Sequence, residues 1–312
     1  MICIECRVEN PKERLYCKNC SRILELRNEL WLRVEELQTQ SDKNALSLVR
    51  TTGILPYIVN QLLVKPRERK LREVISSQGT RMSDLPNLEA LVPECAYAIS
   101  LEKLPSVYAI TMTGAPNAFT FGSDDAPVIV VDKRLMDIMS TSDLRALLGH
   151  EMGHIKSGHM LYHSLAQTLA QGVEVSASVM GLNVISTPMH LALLGWQRES
   201  ELSADRAALV SSGNPADVVS MFAKLTGAPR FSVKERVSLL DNVDNLFRTH
   251  PRMSERARAV FEFANTGEYA DITRKNNYRR MFRLAFQPVC RFCGSAKLIG
   301  AAFCQACGKS QI

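Results

Sequence analysis

The sequence predicts an α+β protein that is predominantly helical, with a small β-sheet and a four-cysteine cluster at each end. Three observations support this fold class. Runs of β-branched residues separated by turns are confined to residues 107–131, which indicates two or three strands. Beyond Thr141 the apolar residues recur at helical spacing. Eight of the nine cysteines lie within the first 20 and the last 23 residues.

The composition is typical of a soluble protein with one large hydrophobic core or two smaller ones. The 312 residues are 46% apolar, 22% charged and 6% aromatic, which excludes a disordered, collagenous or disulfide-miniprotein class. The formal net charge of +6 is too small over this length to argue for nucleic acid as a partner.

The same cysteine pattern occurs at both ends of the chain. The two clusters are Cys3, Cys6, Cys17 and Cys20, and Cys290, Cys293, Cys304 and Cys307. Two Cys-x-x-Cys pairs can place four thiolates around one structural zinc ion, and the alternative is incidental thiols or disulfides. Turns with positive φ are expected after each pair, at Arg7, Ser21, Gly294 and Gly308. The chain begins without a signal-peptide pattern, so we expect a reducing, cytoplasmic environment in which zinc is favoured over disulfides.

The segments between these clusters and the centre are predicted to be helical and partly basic. Apolar residues after the first cluster recur every three or four positions and predict an amphipathic helix: Ile23, Leu26, Leu30, Val34 and Leu37. Basic runs at residues 65–72 and 274–283 could contact acidic lipid or nucleic acid, although such runs are more often solvated surface. The uncharged residues 175–197 favour a buried helix, with peripheral membrane contact as the alternative.

A metal-binding motif lies in the first helix of the helical block. His150 and His154 are one helical turn apart, so both imidazoles project from the same face and can bind one metal ion. Glu151 between them can reach a water activated by that metal. Thr141 or Ser142 can cap the start of this helix. The motif therefore predicts a catalytic zinc centre.

A second predicted helix supplies the third ligand. Glu201 and Asp205 are one turn apart, so Glu201 can reach the metal while Asp205 accepts the outer N–H of a ligand histidine. Small residues let this helix approach closely: Ala204, Ala207 and Ala208. Glu199, which lies on a different face, is the alternative ligand. His159 and His163 repeat the four-residue spacing without an intervening glutamate, and we interpret them as packing or surface residues.

These residues resemble the zinc metallopeptidase family of HtpX and the CAAX prenyl endopeptidases, which are gluzincins with a helical HExxH motif and a downstream ExxxD motif. The resemblance extends over residues 85–262 and implies a zincin-like core. By this resemblance His150, His154 and Glu201 bind zinc, Glu151 is the general base and Asp205 supports a ligand. Two features depart from the family: Ser203 stands where a second acidic residue is common, and convincing transmembrane helices are missing.

The resemblance also assigns two regions to the substrate cleft. His250 and Arg256, in a His-Pro motif with an arginine six residues after the histidine, would border the cleft and help to hold the oxyanion. Asn117, Ala118 and Phe119 would form the strand against which a peptide substrate lies.

The sequence thus predicts a cytoplasmic zinc metalloendopeptidase with one catalytic and two structural zinc ions. Its substrates would be proteins or peptides, and its biological role would be in protein quality control. The two four-cysteine clusters, interpreted as zinc ribbons, could bind a protein partner. The alternative is a zinc-ribbon module that binds protein or nucleic acid and carries a regulated or idle peptidase core. The expected domains are a zinc ribbon (1–22), a helical linker (23–80), a metallopeptidase domain (81–270), a basic linker (271–288) and a second ribbon (289–312).

Overall fold

A computed structural model of the chain describes residues 2–11, 14–24, 30–50, 61, 65–85, 88, 90–123, 125–163, 187–227, 251–285, 292 and 307–309. The helices in these ranges are α1 (Gln40–Arg50), α2 (Lys65–Gln78), α3 (Leu91–Ala98), α4 (Lys133–Ile138), α5 (Thr141–Lys156), α6 (Thr187–Ser212), α7 (Pro215–Leu225), α8 (Pro251–Ala264) and α9 (Gly267–Ala285). The strands are β1 (Thr80–Arg81), β2 (Ser106–Ile110), β3 (Ala118–Ser123) and β4 (Ala126–Asp132). The predicted, mostly helical α+β class is confirmed.

The four strands form one mixed sheet in the order β1-β2-β4-β3. β2 and β4 are parallel, whereas β3 runs antiparallel to β4 with Phe119 opposite Val130. β4 is buried on both faces: Ile129 and Val131 join the main core, and Val128 and Val130 join a smaller cluster against α2. Its β-branched sequence suits this central position. β3 consequently lies at an edge of the sheet.

The helices α5 and α6 pack unusually closely because small residues face each other. A Cβ added at Gly153 would lie 2.8 Å from the Cβ of Ala207 and 3.0 Å from the Cα of Ala204. A Cβ at Gly149 would lie 2.5 Å from the Cβ of Ser211. The close approach predicted from the alanines of the second helix is confirmed, and it brings the two motif-bearing helices side by side.

The start of α5 is capped by Ser140, so the predicted cap at Thr141 or Ser142 was wrong by one or two residues. Ser140 has extended backbone angles, and its side chain accepts a hydrogen bond from the backbone N–H of Asp143. The Asp143 side chain in turn accepts from the Ser140 backbone N–H at 2.7 Å. This reciprocal capping box leaves Thr141 as the first helical residue.

The N-terminal cysteines form a cluster that is docked on the core. The Sγ atoms of Cys3, Cys6, Cys17 and Cys20 all lie within 4.8 Å of one another. The expected turns are present, because Arg7 has φ 61° and Ser21 has φ 58°. The Tyr16 hydroxyl donates to the Leu101 carbonyl oxygen at 2.8 Å, and the Leu104 N–H donates to the Ser21 carbonyl oxygen at 3.0 Å. These bonds fix the cluster to the segment before β2.

The amphipathic helix predicted from Ile23 to Leu37 was wrong where the structure describes it. Ile23 pairs with Tyr16 in a β-bridge, and Val34–Glu36 forms a short 3₁₀ helix. Of the residues in that pattern, Ile23 and Leu37 are nevertheless buried in the main core, whereas Leu30 and Val34 are partly exposed. The apolar spacing therefore reflects, in part, burial of a segment that is not an α-helix.

Several predictions for the C-terminal half fall on residues that the structure does not describe. Cys290, Cys293 and Cys304 are among them, so the second ribbon stays a prediction; Cys307 is described and is followed by Gly308 with φ 71°. Residues 175–186 of the uncharged stretch also lie outside the described residues. Within the described part of the chain, no helix combines the length and apolar character that a membrane crossing requires.

Candidate metal centre

Three side chains from α5 and α6 converge on one point. His150 Nε2 lies 3.4 Å from Glu201 Oε2, and His154 Nε2 lies 3.6 Å from Glu201 Oε1. The two Nε2 atoms are 3.2 Å apart. The i, i+4 spacing places both imidazoles on one face of α5, and the close packing at Gly153 brings α6 and Glu201 within reach.

This donor set fits a zinc ion. Ligand atoms about 2.0–2.1 Å from a tetrahedral zinc ion lie about 3.3–3.5 Å from one another. The two imidazole nitrogens are 3.2 Å apart, and each lies 3.4 or 3.6 Å from one of the two Glu201 oxygens, distances close to that range. Two imidazole nitrogens and one carboxylate oxygen are also a ligand set typical of catalytic zinc.

The outer nitrogen of His150 is held by a carboxylate and an arginine. His150 Nδ1 lies 3.0 Å from Asp205 Oδ1. Arg256 donates from Nε to Asp205 Oδ2 and from Nη2 to Oδ1, both at 2.7 Å. Its Nη1 lies 3.0 Å from Glu201 Oε2. A proton on His150 Nδ1 that points at Asp205 leaves Nε2 available for a metal.

The outer nitrogen of His154 meets a second histidine. α5 is followed by Gly158, whose φ of 68° reverses the chain so that the His159 N–H donates to the His154 carbonyl oxygen at 3.0 Å. His154 Nδ1 lies 3.2 Å from His159 Nδ1. His159 Nε2 lies 3.0 Å from Asp42 Oδ2, within ion-pair distance, although the two groups do not have hydrogen-bond geometry. Ligand atoms of His154, His159 and His163 also lie within 4.8 Å of one another.

Glu151 is buried beside these ligands and is held by β3. The Thr120 hydroxyl donates to Glu151 Oε2 at 2.6 Å and lies 3.3 Å from the Glu151 carbonyl oxygen. Burial raises the pKa of Glu151 above its ordinary value, although the charge of His150 and the Thr120 hydrogen bond act in the opposite direction. A carboxylate with a raised pKa is suited to accept a proton near neutral pH.

The pKa values of the two histidines move in opposite directions. Burial lowers the pKa of His154 well below its ordinary value, and neighbouring histidines add to this effect. Burial also acts to lower the pKa of His150, but hydrogen bonds to Asp205 and Glu201 raise it to about 10. Burial would raise the pKa of Glu201, yet the Arg256 guanidinium holds it well below its ordinary value. The centre therefore keeps an ionised carboxylate ready for a cation.

A cavity of about 320 Å³ opens over the centre. One wall is formed by residues 117–120, at the start of β3. Met221 and Leu225 of α7 contribute apolar surface to another wall. The ligand residues and Glu151 also line this cavity. The residues predicted as the substrate strand and those predicted as the zinc site thus border the same space.

The remaining predicted residues fall in different places. Glu199, the alternative ligand, hydrogen-bonds with Ser41 of α1 and is not in the group formed by the motif histidines and Glu201. His250 lies outside the described residues, although Pro251 begins α8 as its position predicts. Arg256 lines the cavity and is engaged with Asp205 and Glu201.

Three residues around the centre were not predicted. Thr120 directly follows the predicted substrate residues, but its contact with Glu151 depends on packing between distant segments. Asp42 lies more than one hundred residues before His159, which it contacts. His159 was interpreted from its spacing to His163 as a packing or surface residue, and the structure buries it fully beside His154.

Comparison with known proteins identifies relatives of this chain. A family model described as Peptidase family M48 matches residues 83–264. The chain is 30% identical over 228 residues to the plastoglobule-localized metallopeptidase 48 of Arabidopsis thaliana, covering 66% of this chain and 65% of that protein, slightly less than two thirds of its length. It is 24% identical over 238 residues to a Protease HtpX homolog of Ralstonia pickettii, covering 65% and 82% respectively. A Protease HtpX homolog of Salinibacter ruber is 28% identical over 215 residues, covering 60% and 77%.

Proposed function

Because the chain belongs to Peptidase family M48, a family of zinc endopeptidases, we propose that it hydrolyses peptide bonds in protein substrates at the centre described above. His150, His154 and Glu201 are the proposed zinc ligands, and Glu151 is the proposed general base. The observation that carries the proposal is that His150 Nε2, His154 Nε2 and the two oxygens of the Glu201 carboxylate lie 3.2–3.6 Å from one another across these three side chains, with Glu151 buried beside them.

The chemistry divides between the metal and the protein. Bound zinc would supply a Lewis acid that polarises the scissile carbonyl and lowers the pKa of water to about 7. The Thr120 hydroxyl occupies Oε2 of Glu151 and leaves Oε1 to accept a proton from the attacking water. Glu151 then delivers that proton to the nitrogen of the leaving amine. Thr120 keeps the carboxylate oriented through both transfers.

The substrate would bind as an extended chain beside β3. In the described sheet β3 is the last strand, and its start borders the cavity through Asn117, Ala118 and Phe119. Backbone hydrogen bonds to an edge strand bind a peptide with little dependence on its side chains. We therefore propose protein substrates with broad sequence tolerance.

Arg256 and His250 are proposed to act differently. The three contacts of Arg256 with Asp205 and Glu201 favour a positioning role, in which its guanidinium holds one ligand and the partner of another. His250 remains our candidate for a hydrogen-bond donor to the developing oxyanion, because it directly precedes α8, the helix that carries Arg256.

The N-terminal cysteines are proposed to hold a structural zinc ion. Thiolates about 2.3 Å from a tetrahedral zinc ion lie about 3.8 Å apart, and the Sγ separations are 3.6 Å for Cys3 with Cys20 and for Cys6 with Cys17. Burial acts to raise the pKa of Cys17, but backbone N–H groups lower it to about 6, whereas burial and the neighbouring thiols raise the pKa of Cys20 to about 12, as expected when four thiols share a site without a cation. We propose a second structural zinc at the C-terminal cysteines. A cytoplasmic location, a role in protein quality control and a protein partner at the ribbons are also proposals.

Casein digestion by the zinc-loaded full chain tests the proposed function. Glu151→Gln removes the base without removing a ligand, so zinc should remain bound while activity falls by about a hundredfold or more. Glu199→Gln is the matched control, because Glu199 lies on the same helix as Glu201 but contacts Ser41, and this variant should digest casein normally. Undiminished digestion by zinc-loaded Glu151→Gln would refute the assigned base.

A further inference from the structure

Asp42 is a fully buried carboxylate on α1, outside the residues matched by the family model. A buried charge is costly unless it is paired and hydrogen-bonded. Trp196 Nε1 donates to Asp42 Oδ1 at 3.0 Å, and the Ser203 hydroxyl donates to Oδ2 at 2.6 Å. Both donors lie on α6, the helix that carries Glu201. The third close group is His159 Nε2, at 3.0 Å from Oδ2.

The contacts run from Asp42 through His159 to His154, and the carboxylate at the Asp42 end determines where the ring protons of the two histidines lie. A carboxylate can only accept, so the nitrogen of His159 that faces Asp42 favours the N–H form even away from the ideal angle. In the tautomer that follows, the His159 ring proton is on Nε2, and Nδ1 carries a lone pair. That lone pair, 3.2 Å from His154 Nδ1, accepts the Nδ1–H of His154. His154 consequently presents an unprotonated Nε2 to the metal.

We infer that Asp42 is a positioning residue for the zinc centre, which acts through His159 to fix the tautomer and orientation of the ligand His154. The inference rests on the proposed function, because it takes His154 as a zinc ligand. It adds to that function a contribution from α1, a segment that the family model does not match.

The two ligand histidines are thereby supported in corresponding ways. Asp205 accepts directly from the outer nitrogen of His150, and Asp42 reaches the outer nitrogen of His154 through an intervening imidazole. Carboxylate partners of this kind orient metal-bound histidines and increase their basicity.

The N-terminal segment before α1 is docked so that Asp42 is held in place. The Thr39 N–H donates to Ser203 Oγ at 3.0 Å, and Thr39 Oγ1 accepts from the Asp42 backbone N–H at 3.1 Å. Gln38 Nε2 also donates to the carbonyl oxygen of Ser157, just after α5, at 3.4 Å. The segment therefore contacts both helices of the metal centre, which is what a positioning role requires.

Asp42→Asn is the most direct perturbation because it keeps the shape and removes the acceptor-only character of the group. An amide turned with its NH₂ towards His159 requires a lone pair on His159 Nε2, which places the His159 proton on Nδ1 against His154. Turned the other way, its NH₂ meets the indole N–H of Trp196, which is a contact between two donors. In the first orientation the donor–donor contact lies between the Nδ1 atoms of His159 and His154, and it drives the proton of His154 onto its metal-binding Nε2.

The experiment measures the dissociation constant of the catalytic zinc by chelator competition, together with the melting temperature of the protein after that zinc is removed. Asp42→Asn should weaken zinc binding by about 10–100-fold. The control is Leu46→Ala, which truncates a buried side chain on the same helix without touching the contacts of Asp42. Leu46→Ala should lower the melting temperature of the zinc-free protein at least as much as Asp42→Asn does, while its dissociation constant for zinc changes by less than about threefold.

A double variant tests whether Asp42 acts through His159. Asp42→Asn with His159→Ala should bind zinc no more weakly than His159→Ala alone, because the intermediate group is already missing. Equal losses of zinc affinity in Asp42→Asn and Leu46→Ala would overturn the inference in favour of a purely structural role. Zinc affinity unchanged in Asp42→Asn would overturn it as well.

A measurement on the unaltered protein covers the case in which Asp42→Asn does not fold. Nitrogen-15 NMR of the histidine rings in the zinc-loaded chain should show His159 protonated on Nε2 and His154 protonated on Nδ1. A His159 proton on Nδ1 would overturn the inference. These experiments measure zinc affinity and the positions of ring protons, and they do not measure proteolysis. A chain that binds zinc but digests no casein would therefore reject the proposed function, and the inference about Asp42 would still be decided by the zinc affinities.

Discussion

Gly153→Ala tests whether the close packing of α5 and α6 builds the metal centre. The added Cβ would lie 2.8 Å from the Cβ of Ala207 and 3.0 Å from the Cα of Ala204, both below the 3.4 Å at which ordinary contact begins. Neither neighbour is the flexible end of a side chain, so the helices must move apart. Such overpacking costs about 2–3 kcal/mol, whereas alanine gains about 1 kcal/mol in helix propensity over glycine.

The net expectation is a loss of about 1–2 kcal/mol in the free energy of unfolding, or about 2–8 °C in melting temperature. Zinc affinity should also fall, by about tenfold or more, because Glu201 on α6 moves away from the histidines on α5. Circular dichroism during heating and chelator competition measure the two effects.

Gly195→Ala provides the matched control on α6. A Cβ at Gly195 meets no described atom within 4 Å, so the helix-propensity gain should act without a clash and raise stability by up to about 1 kcal/mol. If Gly153→Ala were as stable as the parent protein and bound zinc equally well, the close approach would not be what positions the ligands.

Three further variants test separate parts of the centre. Thr120→Val removes a hydrogen bond that lowers the pKa of Glu151, so the acidic limb of kcat/KM should move to higher pH with zinc content unchanged; a pH profile with an unmoved limb would contradict this. Arg256→Lys cannot form the bidentate contact and should weaken zinc binding by about 10–100-fold in chelator competition, whereas an unchanged dissociation constant would refute its positioning role. Metal analysis should find three zinc ions per chain in reduced protein, two in Cys17→Ser and three in the control Cys95→Ser; three ions in Cys17→Ser would argue against the N-terminal zinc site.

The parts of the centre that depend on local spacing could be predicted from the sequence. His150 and His154 are one turn apart on a single helix, and Glu201 and Asp205 are one turn apart on another, so each pair's common face follows from helix geometry alone. The alanines of the second helix also predicted its close approach. The resemblance to a known family then indicated which pairs meet.

The parts that depend on long-range packing could not be predicted. Asp42 reaches the centre only because the segment before α1 docks on α6, and its sequence neighbourhood carries no metal motif. Likewise, the apolar spacing from Ile23 to Leu37 was interpreted as a helix, but tertiary contacts bury Ile23 in a β-bridge and Leu37 at the end of a 3₁₀ helix.

Anomalous diffraction at the zinc absorption edge, from crystals of the zinc-loaded full chain, tests the central claim most directly. The account predicts a peak about 2.0–2.2 Å from His150 Nε2, His154 Nε2 and a carboxylate oxygen of Glu201. A peak instead among His154, His159 and His163, the other group whose ligand atoms lie within 4.8 Å of one another, would contradict both the catalytic centre and the role inferred for Asp42.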